Sequence, residues 1–121
     1  DICWEDVSKL VKDARTKSLS DQLYRSVGSI CANIEEGYSK QGAKDRARFY
    51  EYALGSARES RGWFYRGLHV LGSAVFDHRS WILTEIIKLL LTIVPAERGS
   101  LLHEDSPEYL VAATFDQEVP F

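Results

Sequence analysis

The spacing of apolar residues along the chain predicts an all-α protein. In four successive segments they recur every three or four positions, which is the spacing of one face of an α-helix. A first helix is predicted over residues 4–14. A second follows N-cap candidates at residues 18–21 and ends at Gly37 to Gly42, and a third covers 43–71. The fourth is capped by Asp77 or Ser80 and runs to residue 94, because proline at position 95 does not continue a helix.

Two of these segments carry apolar stripes that would form a shared core. The stripe of the second helix consists of Leu23, Val27, Ile30, Ile34 and Tyr38. The stripe of the third consists of Ala43, Ala47, Tyr50, Leu54, Ala57, Arg61, Phe64, Leu68 and Leu71. Alternating steps of four and three are the spacing of helical bundles and coiled coils. We therefore expect a helical bundle over residues 1–95.

The predicted fourth helix is apolar on nearly every side, unlike the other three. It is too short to span a bilayer, which needs about 20 residues. Three neighbours in one small bundle do not cover every side of a helix. The pattern therefore predicts a subunit interface in a homo-oligomer, with no membrane contact. The interface residues would be Ile82, Ile86, Ile87, Leu89, Leu90 and Ile93.

Composition and charge divide the 121-residue chain into a bundle and an acidic tail. Residues 1–95 carry 14 Lys and Arg against 12 Asp and Glu, a net charge of +2, whereas residues 96–121 carry one against six, a net charge of −5. A short helix is predicted over residues 107–113, after a Ser-Pro-Glu start signal. Apolar residues in the tail favour a docking segment, placed on its own subunit, on a neighbour or over basic surface.

Residues that could support catalysis or bind a cofactor lack the required spacing. Cys3 and Cys31 have no nearby second ligand, so we expect two reduced, packed thiols in a cytoplasmic protein. No histidine has a glutamate three residues before it, as di-iron bundles require. The N-terminal residues do not resemble a signal peptide. These features predict a protein that is not an enzyme and uses no metal or cofactor.

Basic and aromatic residues alternate on the outer face of the third helix. At about 100° per residue, the basic members fall within about 80° of one another on a continued helix axis. Such alternation is typical of single-strand nucleic-acid binders. Glu51 and Glu59 interrupt it, so a solvated or subunit-facing surface with internal ion pairs is the alternative. The candidate nucleic-acid residues are Lys40, Lys44, Arg48, Tyr52, Arg58, Trp63 and Arg66.

Polar residues at two further places suggest structural roles. Asn33 and Glu36 lie on the second helix opposite its apolar stripe, with Arg25, Ser26 and Ser29, and suit capping or interhelical contacts, with a ligand site as the alternative. Arg61 interrupts the apolar stripe of the third helix, and a buried guanidinium needs a carboxylate. The candidate partners are Glu35, Glu36 and Glu85.

Residues 19–23, 29–38, 48–49 and 53–59 together resemble the signature of a known family. It is the family of four-helix bundle proteins encoded within intervening sequences of bacterial large-subunit ribosomal RNA, and the similarity spans residues 7–94. The resemblance implies an up-down four-helix bundle that assembles into a ring, typically a pentamer. More distantly, the chain is similar to the accessory proteins of diversity-generating retroelements, which bind a reverse transcriptase and nucleic acid.

Three residues depart from the pattern of that family. Cys31 replaces a proline, Glu35 a small residue and Arg61 an acid. The resemblance implies a homo-oligomeric scaffold or adaptor linked to a nucleic-acid-processing system, with RNA, DNA or a protein such as a reverse transcriptase as the partner. A nucleic-acid-binding accessory protein that uses the basic stripe is the alternative, and an unrecognised enzyme is the third.

Overall fold

A computed structural model of the chain describes residues 1–99, and these form five helices and no strand. In chain order they are α1 (Ile2–Val11), α2 (Lys17–Ser39), α3 (Ala43–Arg66), α4 (Leu68–Leu71) and α5 (Ser73–Gly99). The predicted all-α class is thus confirmed. No helix among them is both long and apolar enough to cross a membrane. The predicted helix at 107–113 and most of the acidic tail lie outside the described residues.

The first helix begins and ends earlier than its predicted range. The carboxylate of Asp1 accepts a hydrogen bond from the backbone N–H of Cys3 at 2.9 Å, which caps the first turn. After the end of α1, the hydroxyl of Thr16 donates to the carbonyl of Leu10 at 2.6 Å. This bond satisfies a carbonyl at the end of α1. Thr16 also occupies the N-cap position of α2, so one residue ends one helix and precedes the next.

The prediction of one continuous helix over residues 43–71 is wrong, because the chain breaks at Gly67. A Cβ atom at Gly67 would lie 3.0 Å from Cδ2 of Leu10, so glycine lets the end of α1 approach closely. One helical turn, α4, follows and ends at Gly72, whose φ of 89° is in the left-handed region that favours glycine. The chain then enters α5 at Ser73, earlier than either predicted cap at Asp77 or Ser80.

The predicted stop at Pro95 is also wrong, because α5 continues to Gly99. Proline at position 95 removes the N–H that would bond to the carbonyl of Leu91, and Leu91 lies on an exposed side of the helix where water can reach it. Two ion pairs to α3 hold the turn that follows. Arg46 contacts Glu97 at 2.9 Å, and Arg98 contacts Glu51 at 2.6 Å.

The long helices are arranged around α3. Both α2 and α5 pack along it, while the backbones of α2 and α5 stay more than 8 Å apart. Between α2 and α5 lies α1, which packs on α2. At 1.5 Å per residue, α1 is about 15 Å long and α2 about 35 Å. The fourth position of the bundle is therefore filled over only part of its length.

Burial follows from that arrangement. The core consists of Cys3, Val7, Leu10, Leu23, Ile30, Ala53, Leu54, Ala57, Phe64, Leu71, Leu83, Ile87 and Leu90. Two residues of the predicted stripe on α2 are not part of it, since Ile34 is 37% exposed and Tyr38 is 83% exposed. They lie on the half of α2 that α1 does not reach. The stripe was thus correct for the first half of α2 and wrong for the second.

Candidate interaction surfaces

Five of the seven predicted nucleic-acid residues form two clusters instead of one continuous stripe, whereas Lys44 and Arg58 are exposed on α3 outside these ring contacts. Lys40 is the C-cap residue of α2 and reaches α3 from outside, whereas the other six lie on α3 itself. One cluster surrounds Phe49 near the start of α3, and the other surrounds Trp63 near its end. These rings are 14 positions apart, about 21 Å along a helix.

The first cluster places two cations on one aromatic ring. The Nζ atom of Lys40 lies 5.2 Å from the centre of the Phe49 ring, and Cζ of Arg48 lies 5.1 Å from it. Tyr52 packs edge to face against the same ring at 5.7 Å. Both cations also have acidic partners, because Lys40 contacts Glu36 at 3.0 Å and Arg48 contacts Asp45 at 3.6 Å. Part of the charge is therefore balanced within the protein.

The second cluster is less balanced. Cζ of Arg66 lies 5.0 Å from the Trp63 ring centre, and the indole N–H of Trp63 donates to Glu59 at 3.1 Å. Arg58 is exposed on the same helix and has no ion pair with any residue of the described chain. Aromatic rings beside cations are thus present near both ends of α3, a combination found in single-strand nucleic-acid binders.

The expectation that Arg61 pairs with a glutamate is wrong for the residues described. Arg61 is half-buried, and its Nη1 donates to the hydroxyl of Thr84 on α5 at 3.3 Å. Glu36 pairs with Lys40, and Glu85 pairs with Lys88 at 3.1 Å. Arg61 lines a surface depression between α3 and α5, so its charged end need not be buried with its stem.

The small polar residues of α2 hold that helix against α3. The hydroxyl of Ser60 donates to that of Ser26 at 2.8 Å, and Ser29 bonds to Ser56 at 2.8 Å. Asn33 donates to the carbonyl of Ser29 at 2.8 Å, within its own helix. The interhelical contact predicted for this face thus rests on the serines, whereas Asn33 acts locally and the side chain of Glu36 pairs with Lys40 at the surface.

An open apolar groove lies between α2 and α5, beyond the N-terminal end of α1. Two depressions of about 230 and 190 Å³ adjoin there and share Ile86. Of the predicted interface residues, Ile82, Ile86, Leu89 and Ile93 line the groove and are half-buried. Ile87 and Leu90 are buried in the core of the chain itself. The surface left for an interface on α5 therefore consists of the other four.

The two thiols differ in environment, which corrects the expectation that both are packed. Cys3 is buried at the N-terminal end of α1, whereas Cys31 is exposed at the edge of the groove. Burial, with a smaller contribution from the carboxylate of Asp6, raises the pKa of the Cys3 thiol to about 11. Within residues 1–99, no three His, Cys, Asp or Glu side chains come together where they could hold a metal ion.

Sequence reasoning missed the contact that positions α1. Arg79 of α5 donates to both carboxylate oxygens of Asp6, through Nε at 2.7 Å and Nη2 at 3.2 Å. The carboxylate is fully buried. The available signal was an acid at the helical spacing of Cys3, Val7 and Leu10, on the face that points inward.

A comparison of the sequence with known protein families identifies a family that covers most of the helices described above. The model of the 23S rRNA-intervening sequence protein family matches residues 2–92, a range that includes α1 to α4 and most of α5. The resemblance carried by residues 19–23, 29–38, 48–49 and 53–59 is thus confirmed. No curated protein and no solved structure matches the chain.

Proposed function

Because the chain belongs to the 23S rRNA-intervening sequence protein family, we propose that it is a non-enzymatic, homo-oligomeric scaffold or adaptor in the cytoplasm. Its partners belong to a nucleic-acid-processing system, in keeping with the family name. The observation that carries this proposal is the open groove between α2 and α5. A scaffold needs a surface that holds its copies together, and the groove has the composition of such a surface.

The groove is a poor surface to leave in water. Its walls are almost wholly apolar, and both Ile34 of α2 and Leu89 of α5 line it. Burying such side chains contributes roughly 25 cal/mol for each Å² of apolar area removed from water. Contiguous apolar grooves on soluble proteins commonly mark interaction sites. A second copy of the chain is the occupant that the proposal assigns to the groove.

A ring also needs a second, different patch, because ring interfaces join unlike surfaces of neighbouring copies. Trp4 of α1 and Tyr24 of α2 provide one. Their rings pack edge to face at 5.7 Å, and each residue is about half exposed. Exposed aromatic residues are enriched at protein interfaces. Repeated contact between this patch and the groove of the next copy would close a ring, and the family resemblance implies five copies.

The oligomeric state tests the proposal. Light scattering and native mass spectrometry at tens of micromolar should give a closed oligomer for the wild-type chain. Leu89→Glu combined with Ile93→Glu places two charges in the groove and should give a monomer of unchanged helicity. Leu91→Glu is the matched control, since Leu91 is exposed on α5 and lies outside the groove lining. A monomeric wild-type chain would overturn the proposal.

The alternative function is nucleic-acid binding by the outer face of α3. The two clusters of cations over aromatic rings favour it. Reversing Lys44, Arg48 and Arg66 to glutamate should abolish retention on single-stranded RNA or DNA at low salt without changing oligomer size. Equal retention of wild type and variant would exclude nucleic-acid binding by this face, and only the scaffold function would remain. Phosphate contacts weaken steeply as salt rises, whereas apolar assembly does not.

A further inference from the structure

The arginines of the chain fall into two groups according to their partners. All nine lie within the described residues. Six of them form an ion pair with a carboxylate, namely Arg15, Arg25, Arg46, Arg48, Arg79 and Arg98. The other three have no carboxylate partner in residues 1–99 and are Arg58, Arg61 and Arg66. These three line one and the same surface depression.

The depression lies between α3 and α5 on a different side from the apolar groove, with which it shares no lining residue. Its volume is about 550 Å³, and Gly62 lies among the three arginines. A Cβ atom at position 62 would lie 3.2 Å from Nη1 of Arg66, so this guanidinium lies over the glycine. Glycine inside a helix costs roughly 1 kcal/mol relative to alanine. Here it provides space between the cations.

We propose that Arg58, Arg61 and Arg66 form a binding site for a phosphate group. Three like charges around one depression repel each other, and an anion placed between them removes that repulsion. The guanidinium fork matches the geometry of phosphate oxygens and can bind them in pairs. The Thr84 hydroxyl that accepts from Arg61 is neutral, so it orients the side chain without cancelling its charge.

The neighbouring side chains indicate that the phosphate belongs to a single-stranded nucleic acid. Tyr65 and Phe76 line the depression and pack edge to face at 6.0 Å, and Tyr65 is 67% exposed. An exposed ring beside a phosphate site can stack on the adjacent base. Ser80 adds a hydroxyl at the α5 side. This site deepens the alternative function above and is independent of the scaffold proposal.

The test compares three variants in a binding assay with a fluorescein-labelled single-stranded RNA of ten nucleotides. Arg61→Gln removes one charge from the site, and Arg61→Lys keeps the charge but loses the fork. Arg25→Gln is the matched control, because it removes an exposed arginine of α2 that does not line the depression. Thermal melts confirm that all three variants fold. Inorganic phosphate is titrated as a competitor to separate a free-ion site from a nucleic-acid site.

We expect Arg61→Gln to weaken RNA binding at least tenfold and Arg61→Lys to weaken it several-fold, with Arg25→Gln close to wild type. The slope of log K against log salt should fall by about 0.7 for the lost phosphate contact. If millimolar inorganic phosphate competes with RNA for the wild type but not for Arg61→Gln, a free phosphate ion binds at the same site. Equal weakening by Arg61→Gln and Arg25→Gln, or no RNA binding by the wild type, overturns the proposal. If only variants of the Phe49 cluster lose RNA binding, the alternative function is supported and this site is excluded.

Discussion

The carboxylate of Asp6 on α1 and the guanidinium of Arg79 on α5 form a two-bond ion pair, with the acid fully buried and the arginine nearly so. It links two helices whose backbones stay more than 8 Å apart. The pair therefore fixes α1 between α2 and α5. Because α1 covers only one end of the space between α2 and α5, the Asp6–Arg79 pair also determines where the apolar groove begins.

Replacing Asp6 should destabilise the fold strongly. Asp6→Ala leaves Arg79 largely buried without its partner, and removing one member of a buried pair costs about 3–5 kcal/mol. Asp21→Ala is the control, because Asp21 pairs with Arg25 on an exposed surface and such pairs contribute about 0–1 kcal/mol. Urea denaturation followed by circular dichroism measures both. Equal losses in the two variants would show that the Asp6 pair does not hold α1.

The sequence predicted which segments are helical, although not all of their ends, because helix formation depends on local spacing. The stripes of α2 and α3 and the apolar character of α5 all follow from residues a few positions apart. The Asp6–Arg79 pair joins residues 73 positions apart, and no local pattern relates them. Exposure of Tyr38 was equally hidden, because it depends on where a different helix ends.

For the candidate sites too, residue spacing within one helix predicted part of the arrangement, whereas contacts with a second helix could not be predicted. Helical angles correctly placed Arg58 and Arg66 on one side of α3. They did not reveal that α5 supplies the other wall of that depression, through Phe76 and Ser80. Arg61 was assigned to the core from its position in the stripe. Its real setting depends on the crossing of α3 and α5, which no residue spacing specifies.

Core and exposed members of the predicted α2 stripe should respond differently to truncation. Leu23 is fully buried, so Leu23→Ala should lower the free energy of unfolding by about 2–5 kcal/mol. Tyr38→Ala, at the other end of the stripe, should change it by less than about 0.5 kcal/mol. Denaturant titrations of both variants check this difference. A large loss for Tyr38→Ala would mean that something covers this end of α2.

The two thiols should react at very different rates. Cys31 is exposed, whereas burial raises the pKa of Cys3 to about 11, so little reactive thiolate of Cys3 exists at pH 8. Ellman's reagent should modify one thiol per chain rapidly in the folded protein and two in denaturant. The variant Cys31→Ser should show no fast thiol. Rapid reaction of Cys31→Ser would contradict the burial of Cys3.

The raised pKa of Cys3 should also affect the stability of the protein at high pH. A pKa that is raised in the folded state means that the folded protein holds the proton more tightly than the unfolded chain. The contribution of Cys3 is therefore fully present below the unfolded pKa, near 9, and is lost as pH rises to about 11. Melting temperatures of wild type and Cys3→Ala should accordingly converge between these pH values. If the difference in melting temperature stays constant with pH, protonation of Cys3 does not contribute to stability.

Two helical glycines should respond in opposite ways to substitution by alanine. At Gly37, on the buried side of α2, a Cβ atom would lie 2.7 Å from Cε1 of Tyr50 and 3.2 Å from Cβ of Phe49. At Gly55, on the exposed side of α3, no atom lies within 4 Å of the added carbon. Alanine is the better helix former by roughly 0.4–1 kcal/mol, so Gly55→Ala should stabilise the protein by that amount.

Gly37→Ala gains the same helical preference but must push the Tyr50 ring and the α3 backbone away. Overpacking of this kind typically costs about 1–3 kcal/mol, which exceeds the gain, so the net effect should be a loss of stability. Because Tyr50 also lines the apolar groove, the displaced ring should change the shape of that groove. Thermal melts of the two variants side by side measure the difference in sign. Stabilisation by Gly37→Ala would show that α2 and α3 are packed less closely there than the 2.7 Å approach requires.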